Sequence, residues 1–95
     1  MNKEIKRYLI DAGIKPSFKG FDYFCKAIEL TIKTNRSVNS MTYYIYPALA
    51  KEFQTAPVNI ERAMRGAILK SPQKGIKVRE FIALASIEIK EIINE

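Results

Sequence analysis

The chain of 95 residues has the length of one small domain, and its 47% hydrophobic and 27% charged residues exclude a disordered or collagen-like chain. One cysteine and no histidine exclude a disulfide scaffold and a zinc finger, and leave no imidazole to activate a serine or cysteine nucleophile. Lys and Arg total 16 against 10 Asp and Glu, a net +6, and the balance is uneven: residues 51–79 carry seven bases and two acids, residues 80–95 one base and four acids.

Apolar residues recur at helical spacing along nearly the whole chain and never alternate for long. The expected fold class is therefore all-α, a compact bundle of five to six helices with residues 1–95 as a single domain. Asn2 is placed to cap a first helix with the stripe Ile5, Tyr8, Leu9 and Ala12, and Gly13 marks its stop. A second helix is expected over about 18–34, with Phe21, Phe24, Cys25, Ile28 and Ile32 on one face, which makes Cys25 a core residue. Asn35 ends it, residues 36–39 form a polar link, and Ser40 caps a short helix over 41–46. Pro47 fits the first turn of a new helix, so a helix over 47–53 follows, then a turn at 54–56 and a helix over 57–70. Ser71-Pro72-Gln73-Lys74-Gly75 breaks the pattern. A last helix over about 77–94 is expected to bury Val78, Phe81, Ile82, Ala85, Ile89, Ile92 and Ile93.

Residues 47–70 have the pattern of a helix-turn-helix. Two helices joined by so short a turn cross steeply and need a small residue at their closest approach, which Ala50 supplies. Leu49, Phe53, Ile60 and Ala63 then point inward. Gln54 stands where a left-handed glycine is usual, Pro57 suits the first helical turn, and Thr55 is placed to accept a backbone hydrogen bond there. In the second helix Ile60, Ala63, Met64, Ala67 and Ile68 form the buried stripe. Val58, Asn59, Arg62, Arg65 and Gly66 fall on the opposite side, with Glu61 on the flank. A helix entering the major groove reads base edges with polar side chains near its N-terminus. Arg62 suits a fork onto guanine, Asn59 a pair with adenine, and Glu61 a bond from a cytosine amino group. Gly66 permits close approach to the duplex. Thr55, Arg65 and Lys70, with Lys51 or Lys74, are placed for the DNA backbone.

The segments 46–53 (YPALAKEF) and 60–68 (IERAMRGAI) resemble the C-terminal DNA-binding domain of the sporulation stage-zero A response regulators. Gly13-Ile14-Lys15-Pro16, residues 19–24 (KGFDYF), Ala27-Ile28 and residues 81–84 (FIAL) extend the likeness over most of the chain. The resemblance implies an all-helical domain that binds short operator boxes, often as tandem head-to-tail dimers, to activate or repress promoters. Glu61, Arg62 and Arg65 match positions that family uses at the major groove. Asn59 stands where the family commonly has arginine and Gly66 where it commonly has histidine, which changes the base favoured. Only residues 71–76 separate the last two helices, a shortened form of the neighbourhood through which the family contacts RNA polymerase.

Double-stranded DNA is thus the expected partner, with a homodimer on tandem sites and a polymerase contact as further expectations from the resemblance. No cofactor, metal or catalytic residue is expected, and no receiver domain with its phosphoacceptor. Nor does any apolar run near the ~18 residues of a membrane span, which leads to an expected cytoplasmic location. The alternative is a protein-interaction module or anti-regulator that keeps the fold without the operator contacts, for which Asn59, Gly66 and the acidic last helix speak. Val58, Leu69 and Ile87 are outward apolar residues that permit a dimer contact, and Tyr43-Tyr44 is the one adjacent aromatic pair able to face a partner.

Overall fold

A computed structural model describes residues 1–34 and 41–94. Among them lie five α-helices: α1 (Asn2–Asp11), α2 (Gly20–Thr34), α3 (Tyr46–Glu52), α4 (Pro57–Leu69) and α5 (Val78–Ile93). A π-helical turn, Met41–Ile45, runs straight into α3. No strand occurs among the described residues. The helix end expected at Asn35, the link 36–39 and the cap at Ser40 lie outside them.

Central α2 touches each of the other four helices. Its buried face, Phe21, Phe24, Cys25, Ala27, Ile28 and Thr31, meets Ile5 and Leu9 of α1, Ile60, Met64 and Ile68 of α4, and Phe81, Ile82 and Ile89 of α5. Phe24 and Phe81 stack edge to face at 5.2 Å between centroids, joining α2 to α5. Cys25 is buried in this core as its place in the stripe required, and burial pushes its thiol up to about 11. Lys26 bridges Glu29 in its own helix (3.1 Å) and Glu52 at the end of α3 (3.3 Å), so α3 is tied to α2 on the solvent side.

Helix ends follow local chemistry. Gly13 adopts φ +91°, and the amides of Ile14 and Gly13 donate to the carbonyls of Leu9 (2.9 Å) and Ile10 (3.0 Å). This is the Schellman stop, and Leu9 and Ile14, the two residues its longer bond joins, are both fully buried. The α4–α5 loop folds onto the same corner. Pro72 lies where a Cβ on Gly13 would stand 2.5 Å from its Cδ, and Gln73 Nε2 donates to the Ala12 carbonyl (3.3 Å). Buried Ser71 holds the loop by donating to the Ile68 carbonyl (2.8 Å) and accepting the Gln73 amide (3.0 Å).

Several expectations need correction. Asn2 is the first helical residue and not the cap, because the Met1 carbonyl already accepts the first helical amide, that of Ile5 (3.1 Å). Helix α2 begins at Gly20, since residues 15–21 make two tight turns instead, with the Phe18 and Phe21 amides donating three residues back. The split expected between Tyr46 and Pro47 falls one residue earlier and is a change of winding, not a break. Pro47 has no amide to give, so the wide turn gives way to α-helix just before it. Ile92 and Ile93, expected in the core, are 51% and 41% exposed. Ile92 borders an open surface hollow alongside α1, which leaves this last turn of α5 only partly covered.

Candidate nucleic-acid interface

Helices α3 and α4 are joined by residues 53–56. Phe53 caps α3, Gln54 takes φ +54°, and the Thr55 amide donates to the Ala50 carbonyl (2.9 Å) while that of Gln54 reaches Lys51 (3.4 Å). The turn is therefore a second Schellman stop, built on a glutamine where Gly13 serves the first. Leu49 and Ile60 are fully buried across the corner, with Ala50 buried beside them. Phe53 is half-buried and lies edge-on to Tyr23 of α2 at 4.9 Å. Pro57, with φ preset for helix, opens α4.

Thr55 does not cap α4 as expected. The cap position belongs to Ala56, which has no side-chain acceptor, and Thr55 lies one residue too early. Its hydroxyl instead accepts from the Asn59 amide nitrogen (3.0 Å), which holds Asn59 in a fixed attitude on the first turn. Ala63, expected in the buried stripe, is only half-buried, because it lines open hollows between α4 and the segment leading into α2. A Cβ on Gly20 would stand 2.7 Å from the Ala63 carbonyl oxygen and 3.0 Å from Met64 Cα. Glycine lets the backbones of α2 and α4 meet there.

With its stripe Ile60, Met64, Ala67 and Ile68 against the core, α4 presents Val58, Arg62, Arg65 and Leu69 along its exposed crest. Arg62 is exposed and forms no hydrogen bond or ion pair with any described residue. Asn59 and Arg62 share a concavity of about 330 Å³ on one flank of the helix, walled by Thr55, Lys19 and Tyr23. Further along that flank Gly66 and Lys70 border a smaller hollow of about 150 Å³ with Lys19 and Phe18. The Lys70 ammonium stands 5.8 Å from the Phe18 ring centre, a cation–π contact that leaves its charge on the surface. Nothing within 4 Å would meet a Cβ on Gly66.

Glu61 and Arg65 occupy the other flank and are paired at 3.6 Å. They border a broad cleft of about 610 Å³ between α4 and the start of α5, with Tyr46, Lys77 and Arg79 opposite. The Tyr46 phenol is held above its ordinary value by burial first, then by the Glu61 carboxylate, with Arg79 opposing. Thus the three residues expected at bases do not form one row: Asn59 and Glu61 lean to opposite sides of Arg62. Lys51, in the last turn of α3, and Lys74, in the α4–α5 loop, are exposed, and neither lines these hollows. Lys19, Tyr23, Lys77 and Arg79 carry no signal of this place in the sequence, because tertiary packing alone brings them beside α4. The one local sign is Gly20, a glycine opening an apolar-striped helix.

A tight left-handed turn feeding a half-exposed helix, with Arg62 unpaired on its outer face, is consistent with a helix-turn-helix of the kind found in nucleic-acid-binding domains. Comparison with protein families gives the particular member of that class: residues 5–92 match the model described as Sporulation initiation factor Spo0A C terminal. The match takes in nearly the whole chain, which belongs to this family of DNA-binding effector domains. It is a regulatory family and not one of enzymes. No helix among the described residues is long and apolar enough to cross a membrane.

Proposed function

We propose that residues 1–95 act as one domain that binds double-stranded DNA by sequence and regulates transcription, with α4 lying in the major groove. The observation that carries this reading is Arg62: a guanidinium on the crest of α4, exposed and without a partner among the described residues. A fork left free in this way suits the two acceptors on guanine. Asn59, its second amide hydrogen and its carbonyl still available beside the bond to Thr55, reads the base next to one groove wall. Glu61 reads toward the other wall, or releases Arg65 to a phosphate when it does so. Thr55, Lys70 and Lys51 contact the backbone, Lys74 lies further along the same strand path, and Gly66 is the point of closest approach. Tandem head-to-tail dimers and a contact with RNA polymerase near residues 71–76 extend the reading by family likeness.

Selection of bound sites from a random duplex library, followed by anisotropy titration on the selected operator and on random duplex, tests it. Wild type is expected to prefer the operator, and Arg62→Ala to lose about 1–3 kcal/mol on the operator with little change on random DNA. Failure to bind any duplex at low salt would favour an interaction module that keeps the fold without the contacts. Half-site spacing in the selected sequences reports whether two copies bind in tandem.

A further inference from the structure

Helix α4 has unlike neighbours on its two flanks, and both bring cations from outside the helix-turn-helix. On one flank the backbone crossing at Gly20 sets Lys19 and Tyr23 against the hollow that holds Asn59 and Arg62. Lys19 also borders the adjoining hollow at Gly66, so it stands alongside the middle of α4. On the other flank, Lys77 and Arg79 at the start of α5 face Glu61 and Arg65 across the broad cleft. Lys19, Lys77 and Arg79 are exposed, and none forms an ion pair with a described residue. Arg7, Lys26 and Lys33, elsewhere on α1 and α2, are paired with carboxylates, whereas Lys3 and Lys6 of α1 form no ion pair with a described residue. It is therefore position beside α4 that singles out Lys19, Lys77 and Arg79.

The dimensions make this arrangement significant. An α-helix with its side chains is about 10–12 Å across, and the major groove of B-form DNA is about 12 Å wide. A helix seated there fills the groove, so whatever flanks it meets the two sugar-phosphate strands that wall the groove. We infer that Lys19 with Tyr23, and Lys77 with Arg79, form a two-sided phosphate clamp, each pair gripping one strand while α4 reads the bases between them. The inference rests on the reading of α4 proposed above and adds what fixes its tilt. Helix α4 is held by one strand through the front of α2 and by the other through the front of α5, so it cannot roll about its own axis without releasing a wall. The sides are unequal. No carboxylate lines the hollow on the α2 side, whereas Glu61 and Glu80 line the α5 cleft with its three cations.

Removing one phosphate-neutralising cation lowers the slope of log K against log salt by about 0.9. The experiment measures that slope on the selected operator and on random duplex for wild type, Lys19→Ala, Lys77→Ala/Arg79→Ala and Lys33→Ala. The last is a control about 20 Å along α2 from its start, at 1.5 Å per residue. Phosphate ethylation interference on each strand accompanies it. Expected are a slope lower by about 1 for Lys19→Ala and by up to about 2 for the double variant, an unchanged ratio of operator to random affinity, and an unchanged control. Interference disappears from one strand in Lys19→Ala and from the opposite strand in the double variant. All the substituted side chains are exposed, and unchanged thermal melting confirms that the fold is retained. The clamp is overturned if either variant keeps the wild-type slope, if both remove interference from the same strand, or if the operator ratio falls. It fails alone when wild type prefers its operator and Arg62→Ala abolishes that preference while the Lys19 and Lys77/Arg79 variants behave as wild type. Absence of salt-dependent duplex binding by wild type removes the reading of α4 and the clamp with it.

Discussion

Gly66→Ala separates what stabilises α4 from what lets it work. Gly66 is an interior residue of α4, ten positions from Pro57 counting both ends. Glycine there costs about 0.5–1 kcal/mol relative to alanine, because the unfolded chain loses more freedom on becoming helical. Nothing lies within 4 Å of where the new methyl would stand, so no clash offsets the gain. The variant should melt higher by about 2–8 °C, taking about 4–8 °C per kcal/mol for a domain of this size. On DNA the sign reverses. The methyl occupies space in which α4 meets the duplex, and crowding a closely packed surface costs about 1–3 kcal/mol, on the order of ten-fold or more in affinity. Circular dichroism melting and anisotropy on the selected operator give the two numbers from one preparation. A lower melting temperature would show that Gly66 is needed by the fold itself. A higher one with undiminished affinity would show that the duplex does not approach α4 at this residue.

Gly20→Ala should do the opposite in the fold, losing about 1–3 kcal/mol in urea titration, because its methyl meets backbone atoms of Ala63 and Met64 that cannot turn aside; an unchanged midpoint would mean that α2 and α4 do not cross so closely. Gln54→Gly should stabilise by about 1 kcal/mol by relieving the left-handed conformation at φ +54°, while Gln54→Ala should not, and equal midpoints for the two would show that φ is not the cause. The Cys25 thiol ionises near 9.0 when solvated and is pushed up to about 11 by burial, so its contribution to folding stability is fully present below pH 9 and is lost as pH rises toward 11. Its contribution to the slope approaches about 1.4 kcal/mol per pH unit. Cys25→Ala should flatten the decline over that window, and parallel curves for the two proteins would contradict it.

Much of this molecule is legible in residue order, and the exceptions share a cause. The stripes of α2 and α4, the stop at Gly13 and the left-handed place at Gln54 depend on residues within one or two turns of each other, where spacing and φ preference decide the outcome. Ile92 and Ile93 continue the stripe of α5 faithfully, yet periodicity describes a face and not whether a neighbour extends far enough to cover it. Thr55 misses the cap by one residue, because a cap is set by where the preceding turn ends and that turn uses the Thr55 amide itself. The outward row of α4 is legible as a row. That Asn59 and Glu61 tilt to opposite walls, and that Lys19 and Arg79 stand beside them, follows from packing between segments distant in the chain.

The contact of Pro72 with Gly13 and of Gln73 with Ala12 bolts the exit of α4 to the end of the N-terminal helix, 61 positions away in sequence. That opening helix is consequently no detachable prefix. Trimming it would remove the surface on which Pro72 rests, strand a glutamine donor and unfasten the connector from which α5 departs. The far end of α4 is thus anchored through its loop to the end of α1.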